Sequence, residues 1–134
     1  MGTATRTVVF TDLANYTAKV SRTDREGLRR ILLEHEALVQ PIVEQYGGRI
    51  VKNLGDSFLC LFKAATDALR AALDIQHLVT EEGEISIRLA MTTGDVEEID
   101  GDAFGESVNL AARILSKAPA GEVWFSAGTQ ICMN

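Results

Sequence analysis

Two aspartates stand where apolar strand segments meet turns. Asp12 follows the run Val8-Val9-Phe10-Thr11, and Asp56 lies in a Leu-Gly-Asp turn between two short predicted strands. Carboxylate oxygens are the ligands that Mg²⁺ and Mn²⁺ prefer, and two carboxylates held side by side can hold two such cations for phosphoryl chemistry. The alternative is structural, since aspartate also caps helices and stabilises turns. The pair is a candidate two-metal site if the fold brings Asp12 and Asp56 together.

A second candidate pair lies on one predicted helix. Asn109 and Arg113 are four residues apart, so they share a helix face beside the apolar stripe. An amide and a guanidinium that project together can orient a ribose or a phosphate and stabilise charge in a transition state. The alternative is a solvated helix face on which Arg113 pairs locally with Glu106 or Asp102.

The third candidate pair combines a cation with an anion. Lys52 stands at a predicted strand end and Asp102 in a predicted turn. Together they can recognise a base, with the lysine donating to a ring nitrogen and the aspartate accepting from an exocyclic amine. The alternative is an ordinary surface lysine and a turn aspartate.

Backbone donors follow Asp12. The chain turns towards a helix there, and free N–H groups at such a turn can hold phosphate oxygens. This segment consists of Leu13, Ala14, Asn15, Tyr16 and Thr17.

Hydrophobic periodicity predicts the elements that position these residues. In the longest helix, apolar residues and His35 recur three and four apart, and Gly47-Gly48 ends it. We expect His35 and His77 to be helix-surface or boundary residues rather than ligands. The predicted strands cover residues 7–13, 49–53, 57–62, 85–96 and 122–125, and the predicted helices cover residues 24–46, 64–80 and 104–117.

The element order strand–helix–strand–strand–helix–strand predicts an α+β fold with a ferredoxin-like βαββαβ core. In that topology the first and third strands are central, antiparallel neighbours. The far end of the first strand then meets the start of the third, which places Asp12 beside Asp56.

Composition excludes several function classes. The 134 residues suggest one domain, and 19 acidic against 13 basic residues give a formal charge of −6. Because no basic run exists, we expect no nucleic-acid binding. No apolar stretch approaches the roughly 20 residues needed to span a bilayer, and no signal peptide opens the chain, so we expect no membrane insertion by this segment. We predict a cytoplasmic domain, which could equally be the cytosolic part of a longer or membrane-anchored protein.

One competing motif is a serine-hydrolase pattern. Residues 55–58 read Gly-Asp-Ser-Phe, and Asp74 with His77 forms a D-x-x-H. In such enzymes the Asp/His pair comes from near the C-terminal end of a parallel α/β fold. Here Asp74 and His77 lie on the helix that immediately follows Ser57, which is too close in sequence for that architecture.

Four segments together resemble the catalytic domain of class III nucleotidyl cyclases, the adenylate and guanylate cyclases. They run in the family's order over nearly the whole chain. They are Val9-Phe10-Thr11-Asp12-Leu13-Ala14-Asn15-Tyr16-Thr17, Gly48-Arg49-Ile50-Val51-Lys52-Asn53-Leu54-Gly55-Asp56-Ser57-Phe58, Gly101-Asp102-Ala103-Phe104-Gly105-Glu106-Ser107-Val108-Asn109-Leu110-Ala111-Ala112-Arg113 and Gly121-Glu122-Val123.

The resemblance implies a role for each matched position. Asp12 and Asp56 correspond to the two metal-binding aspartates, with the Leu13 carbonyl as a further ligand for two divalent cations, Mg²⁺ or Mn²⁺. Lys52 and Asp102 correspond to the base-recognition pair. Adenine-specific members place Lys and Asp or Thr there, whereas guanine-specific members tend to place Glu and Cys, so the resemblance implies an ATP user.

The resemblance also implies the reaction and the assembly. Asn109 and Arg113 correspond to the transition-state pair, the first positioning the ribose and the second countering phosphate charge. The expected reaction is attack of the ribose 3′-hydroxyl on the α-phosphorus of ATP, with loss of pyrophosphate. The family's sites form between two subunits, and this chain carries every role, so we expect a head-to-tail homodimer with two sites at its interface.

Two departures from the family pattern qualify these expectations. Asn15-Tyr16 replaces a smaller pair, and the family's further strands, which carry a lysine that contacts the triphosphate, do not follow Asn134. We therefore expect a single, C-terminally truncated catalytic domain over residues 1–134, derived from a longer chain with regulatory domains. The alternative functions are a non-catalytic nucleotide-binding or dimerisation module and a guanylate cyclase.

Overall fold

The computed structural model describes residues 2–14, 24–82 and 85–133, which form one mixed sheet with helices on both of its faces. The strands are β1 (Thr3–Leu13), β2 (Arg49–Asn53), β3 (Ser57–Phe62), β4 (Ile87–Ile99), β5 (Asp102–Phe104) and β6 (Val123–Phe125). The helices are α1 (Arg25–Gln45), α2 (Ala65–Glu82), α3 (Glu106–Leu115) and α4 (Ala127–Ile131).

The sheet topology confirms the ferredoxin-like prediction. The strand order is β2-β3-β1-β4-β5, and β1 runs antiparallel to both β3 and β4. β6 pairs in parallel with the first half of β4. The two central strands are longer than predicted, because β1 begins at Thr3 and β4 continues to Ile99. The prediction missed the three-residue strand β5 and the short helix α4, and Asp102 is therefore the first residue of a strand and not part of a turn.

Alternation along the strands gives the sheet two different faces. Val9, Phe58 and Cys60 point to the face covered by α1 and α2, where the larger core lies. Their neighbours Val8 and Leu59 point to the other face, where Ala111 of α3 and residues of the β4–β5 hairpin cover them. Burial raises the pKa of the Cys60 thiol to about 12, so Cys60 acts as a small buried hydrophobic residue.

The extended β4–β5 hairpin reaches back over the second face towards β2. Glu98 of β4 forms an ion pair with Arg49 of β2 and lies 4.0 Å from Arg6 of β1. β2 and β5 are the two ends of the strand order, so these contacts curl the sheet and bring its edges together.

Helix α3 approaches β4 closely because small residues line the contact. Gly105, the N-cap of α3, has φ +144°, and a side chain there would lie 2.9 Å from the Asp95 carbonyl. A Cβ at Gly94 would lie 2.1 Å from the Ser107 hydroxyl. The Thr92 hydroxyl donates to the Ser107 carbonyl at 2.6 Å. These contacts fix the start of α3, and with it the position of Asn109.

Among the helices of the described residues, none combines the length and apolarity that a bilayer crossing requires.

Candidate active site

Strand register brings the two aspartates to one edge of the sheet. Asp12 pairs with Ser57, the residue after Asp56, and the N–H of Leu13 donates to the Asp56 carbonyl at 2.9 Å. The predicted convergence of the far end of β1 with the start of β3 is confirmed. Both aspartates are partly buried, and the Asp12 side chain is only 14% exposed.

Arg88 is the direct partner of Asp12, and the sequence argument missed it. The two residues face each other in the β1–β4 register. Nε of Arg88 donates to one Asp12 carboxylate oxygen at 2.9 Å, and a terminal guanidinium nitrogen donates to the other at 2.5 Å. The hydrogen bond to Asp12 raises the pKa of Arg88, and the charges of Asp12 and Asp56 raise it further against the opposing effect of burial. Asp56 therefore lies close enough to act on the same guanidinium.

The turn that carries Asp56 is built by its own side chains and backbone. The Asn53 side-chain oxygen accepts from the N–H of Gly55 at 2.8 Å, and the N–H of Leu54 donates to the Ser57 carbonyl at 2.9 Å. Gly55 has φ +91°, a left-handed conformation that glycine adopts without steric cost. This turn directs the residue after Gly55 into the edge that Asp12 occupies.

Lys52 and Asp102 lie in direct contact. Nζ of Lys52 is 3.1 Å from a carboxylate oxygen of Asp102, although β2 and β5 are opposite ends of the strand order. The N–H of Ala103 donates to the other Asp102 oxygen at 2.8 Å. The hydrogen bond from Ala103 has the larger effect and the one from Lys52 the smaller. Both lower the pKa of the Asp102 carboxyl, so this group is ionised at neutral pH. The curl of the β4–β5 hairpin thus brings Asp102 to Lys52, and the two form an ion pair. The structural alternative, a surface lysine and a turn aspartate without a connection, does not describe them.

Asn109 and Arg113 lie on α3 and are both exposed. Among the described residues, neither side chain has a hydrogen bond or an ion pair, so the local pair of Arg113 with Glu106 or Asp102 that formed part of the structural alternative does not occur there. The adjacent Leu110 is 36% exposed, and Phe104 is 50% exposed. The exposed side chains of α3 thus include both polar and apolar ones, and the exposed Phe104 ends the preceding strand β5.

The predicted phosphate-binding segment is only partly described. Leu13 and Ala14 are buried, and their N–H groups donate to the carbonyls of Asp56 and Ser86 at 2.9 and 2.8 Å. These two donors are therefore already used within the protein. Asn15, Tyr16 and Thr17 lie outside the described residues, and their role stays a prediction.

The edge of the sheet that carries Asp12 and Asp56 is here called the carboxylate edge. His35 packs behind this edge, on the face of the sheet to which Thr11 points. The expectation of a surface or boundary position is wrong for His35, which is fully buried. Nε2 of its ring lies 3.2 Å from the hydroxyl of Thr11, the neighbour of Asp12, and the ring packs on Phe58 at a centroid distance of 4.6 Å. Burial lowers the pKa of His35 to about 4, so the ring is neutral at pH 7.

The residues at this edge provide some of the ligands that a hard divalent cation requires, but not all of them. Asp12 supplies carboxylate oxygens from β1 and Asp56 from the turn before β3, and within the described residues no third His, Cys, Asp or Glu joins them. Mg²⁺ is commonly held by one or two carboxylates, with waters and substrate phosphates completing its shell. Two carboxylates, with the Leu13 carbonyl predicted as a further ligand, therefore fit a site that is completed by a polyphosphate.

Comparisons with known proteins place the chain in a family. Residues 3–134 match the family model of the adenylate and guanylate cyclase catalytic domain. An adenylate cyclase of Streptomyces coelicolor is 35% identical over 113 residues, which are 84% of this chain and 30% of that protein. An adenylate/guanylate cyclase/hydrolase from Silicibacter pomeroyi has a solved structure with a TM-score of 0.86 and 32% identity, covering 98% of this chain and 80% of that one.

A second solved structure agrees with this result. It is a dimeric guanylyl cyclase domain of the RhoGC fusion protein from the aquatic fungus Blastocladiella emersonii, with a TM-score of 0.90, 26% identity and coverage of 98% of this chain and 85% of that one. The chain belongs to the adenylate and guanylate cyclase catalytic domain family. It spans about a third of the length of the curated relatives it matches.

Proposed function

We propose that this chain is the catalytic domain of an adenylate cyclase that converts ATP to 3′,5′-cyclic AMP and pyrophosphate. Family membership supports cyclase chemistry, and the Lys52–Asp102 contact is the observation that carries the choice of ATP. An ammonium beside a carboxylate complements the edge of adenine, where the N1 acceptor neighbours the N6 amine. The same two groups can meet guanine at O6 and N1–H, so the choice also rests on the family pattern of Lys with Asp.

Each residue pair has one task in this proposal. Asp12 and Asp56 hold two divalent cations, Mg²⁺ or Mn²⁺, and Lys52 with Asp102 orients the base. When bound, the cations lower the pKa of the ribose 3′-hydroxyl and offset the charge of the triphosphate.

Helix α3 supplies the remaining pair in the proposal. Asn109 orients the ribose so that its 3′-hydroxyl lies in line with the α-phosphorus, and Arg113 donates hydrogen bonds to the oxygens on which charge increases during the reaction.

The assembly in this proposal is a head-to-tail homodimer with two sites at its interface. Asn109 and Arg113 are exposed while Asp12 and Asp56 are partly buried in their own chain, which supports a site completed by α3 of a second copy. We further propose that residues 1–134 are a single catalytic domain of a longer cytoplasmic chain with regulatory domains. The partial coverage of the relatives supports the longer chain.

The test is product formation from ATP and Mn²⁺, measured by chromatography with mass detection. We expect cyclic AMP from the parent, and a loss of about 100-fold or more in Asp12→Ala because the cation site loses a ligand. Asp67→Ala, the same change in the first turn of α2, is the matched control and keeps activity. Nucleotide binding without turnover, with Asp12→Ala indistinguishable from the parent, would select the non-catalytic module.

The choice of nucleotide is tested by competition between ATP and GTP. We expect ATP to be the preferred substrate, and the double variant Lys52→Glu with Asp102→Cys to shift the preference towards GTP by at least tenfold, because the hydrogen-bonding groups that face the base change. Preferred turnover of GTP by the parent would select a guanylate cyclase instead.

A further inference from the structure

Both oxygens of the Asp12 carboxylate are used by Arg88. The two hydrogen bonds, at 2.9 and 2.5 Å, form a bidentate contact between a guanidinium and a carboxylate. Such charge-assisted, two-point contacts are among the stronger hydrogen bonds in proteins. With side-chain exposures of 31% for Arg88 and 14% for Asp12, the pair is partly shielded from solvent. A cation that takes Asp12 as a ligand needs the same oxygens.

We propose that Arg88 sets the affinity of the site for divalent cations by competing with them for the Asp12 carboxylate. The inference rests on the proposed cation site at Asp12 and Asp56. The guanidinium takes one lone pair on each Asp12 oxygen, and a divalent ion on the remaining lone pairs would lie at contact distance from it, where the two positive groups repel each other. Binding of the cation therefore includes the cost of weakening or breaking the Arg88–Asp12 contact.

Strand pairing and the charge of Asp56 both hold Arg88 near Asp12. Arg88 stands on the central strand β4 directly opposite Asp12, so its reach is fixed by the strand pairing. The negative charge of Asp56 also acts on the guanidinium. Because Arg88 is anchored opposite Asp12 in the same sheet, the competition takes place within one chain.

Arg88→Lys separates this contact from the general effect of charge. Lysine keeps the positive charge but lacks the planar fork that meets both oxygens of a carboxylate. If Arg88 acts only through the electric field, Arg88→Lys binds cations as the parent does. If the two-point contact matters, cation affinity rises in Arg88→Lys and rises further in Arg88→Gln.

The experiment is a Mn²⁺ titration of the free protein without nucleotide, followed by the electron paramagnetic resonance signal of unbound Mn²⁺. We expect Arg88→Gln to bind Mn²⁺ about tenfold more tightly than the parent, the scale of a charge-assisted pair. Arg29→Gln, the same substitution on the exposed side of α1, should leave the affinity unchanged. In an Asp12→Asn background the effect of Arg88→Gln should disappear, because the shared group is gone.

The outcomes distinguish this inference from the proposed function. Equal Mn²⁺ affinity in the parent, Arg88→Lys and Arg88→Gln overturns the competition but leaves the cation site in place. Mn²⁺ binding to the parent that does not weaken in Asp12→Asn overturns the cation site itself. If Arg88→Gln does not fold, as judged by circular dichroism, the comparison of Arg88→Lys with the parent decides the question.

Discussion

The carboxylate edge of the sheet and the exposed face of α3 differ in where their side chains find partners. At the edge, Asp12 is bound by Arg88, and Asp56 lies in a turn that Asn53 stabilises. On α3, Asn109 and Arg113 are exposed, with no side-chain partner among the described residues. The side chains in one half of the proposed site are thus held by contacts within the chain. Those in the other half are exposed and accessible to a partner outside the chain.

This difference supports a division of labour between two copies of the chain. A side chain that is free to move loses conformational entropy when it binds a ligand. Functional polar groups in a site formed by one chain are therefore commonly held in place by neighbouring residues. The α3 residues have no such neighbours in the described chain, and Leu110 on the same helix and Phe104 at the end of β5 are exposed apolar residues. An interface that covers this face would order them.

The strongest test of the comparison is complementation between two inactive chains. We expect Asp12→Ala and Asn109→Ala each to lose at least about 100-fold in activity, since one affects cation binding and the other the transition state. Mixed in equal amounts, they should recover about a quarter of parental activity. Half of the randomly formed dimers are then mixed, and each mixed dimer has one intact site of two. Cyclic AMP production after mixing is the measurement.

The control for complementation is a mixture of two chains altered in the same half. Asp12→Ala mixed with Asp56→Ala should stay inactive, because every site then lacks one of the carboxylates. No recovery in the Asp12→Ala and Asn109→Ala mixture, with mixed dimers confirmed by mass spectrometry, would contradict a site shared between chains.

A smaller effect is expected from acidification, which should lower the free energy of unfolding through His35, the residue packed behind the carboxylate edge. The pKa of His35 is about 4 in the folded chain, below its ordinary value of 6.5. The unfolded chain therefore takes up the proton first, so this stability contribution is complete above pH 6.5 and is lost as the pH falls towards 4. At pH 5 we expect a loss of about 2 kcal/mol relative to pH 7, measured by urea unfolding.

Two variants show whether His35 is the cause. In His35→Gln the difference between pH 7 and pH 5 should shrink by about that amount, while His77→Gln, the same change at an exposed helix position, should keep it. An unchanged pH dependence in His35→Gln would assign the acid sensitivity to other groups.

The smallest effect compares the same substitution in the two regions. Asn53→Ala removes the acceptor of the Gly55 N–H and should cost about 1 kcal/mol of unfolding free energy. Asn109→Ala should change stability by no more than a few tenths of a kcal/mol, because its side chain is exposed on α3. Chemical unfolding of the monomer at low protein concentration measures both. Equal losses would show that the two regions do not differ in the way described.

Topology allowed the sequence to predict the most important feature of the fold. The element order alone required the end of β1 to meet the start of β3, and the register that pairs Asp12 with Ser57 confirms this. Arg88 was accessible to the same reasoning, since it is the charged residue among the alternating apolar residues of a strand that pairs with β1. The apolar alternation that predicts the strand carries no information about the side chains between the apolar positions, and Arg88 is one of them.

Other features depend on tertiary packing and could not be read from local patterns. The Lys52–Asp102 contact requires the β4–β5 hairpin to curl back, and a three-residue strand such as β5 has too short a pattern to recognise. His35 fits the apolar stripe of α1 by spacing, but residue type suggested a surface position. Its burial follows from Thr11 and Phe58, which offer the ring a hydroxyl partner and an aromatic neighbour.

The curled sheet has a mechanical consequence. Lys52 and Asp102 belong to opposite ends of the strand order, so the gap between them widens or narrows whenever the curvature changes. Asp12 and the residue after Asp56 are linked by direct strand pairing, so the same deformation hardly separates the two carboxylates. A force that flattens this domain would therefore pull Lys52 away from Asp102 well before it separates Asp12 from Asp56.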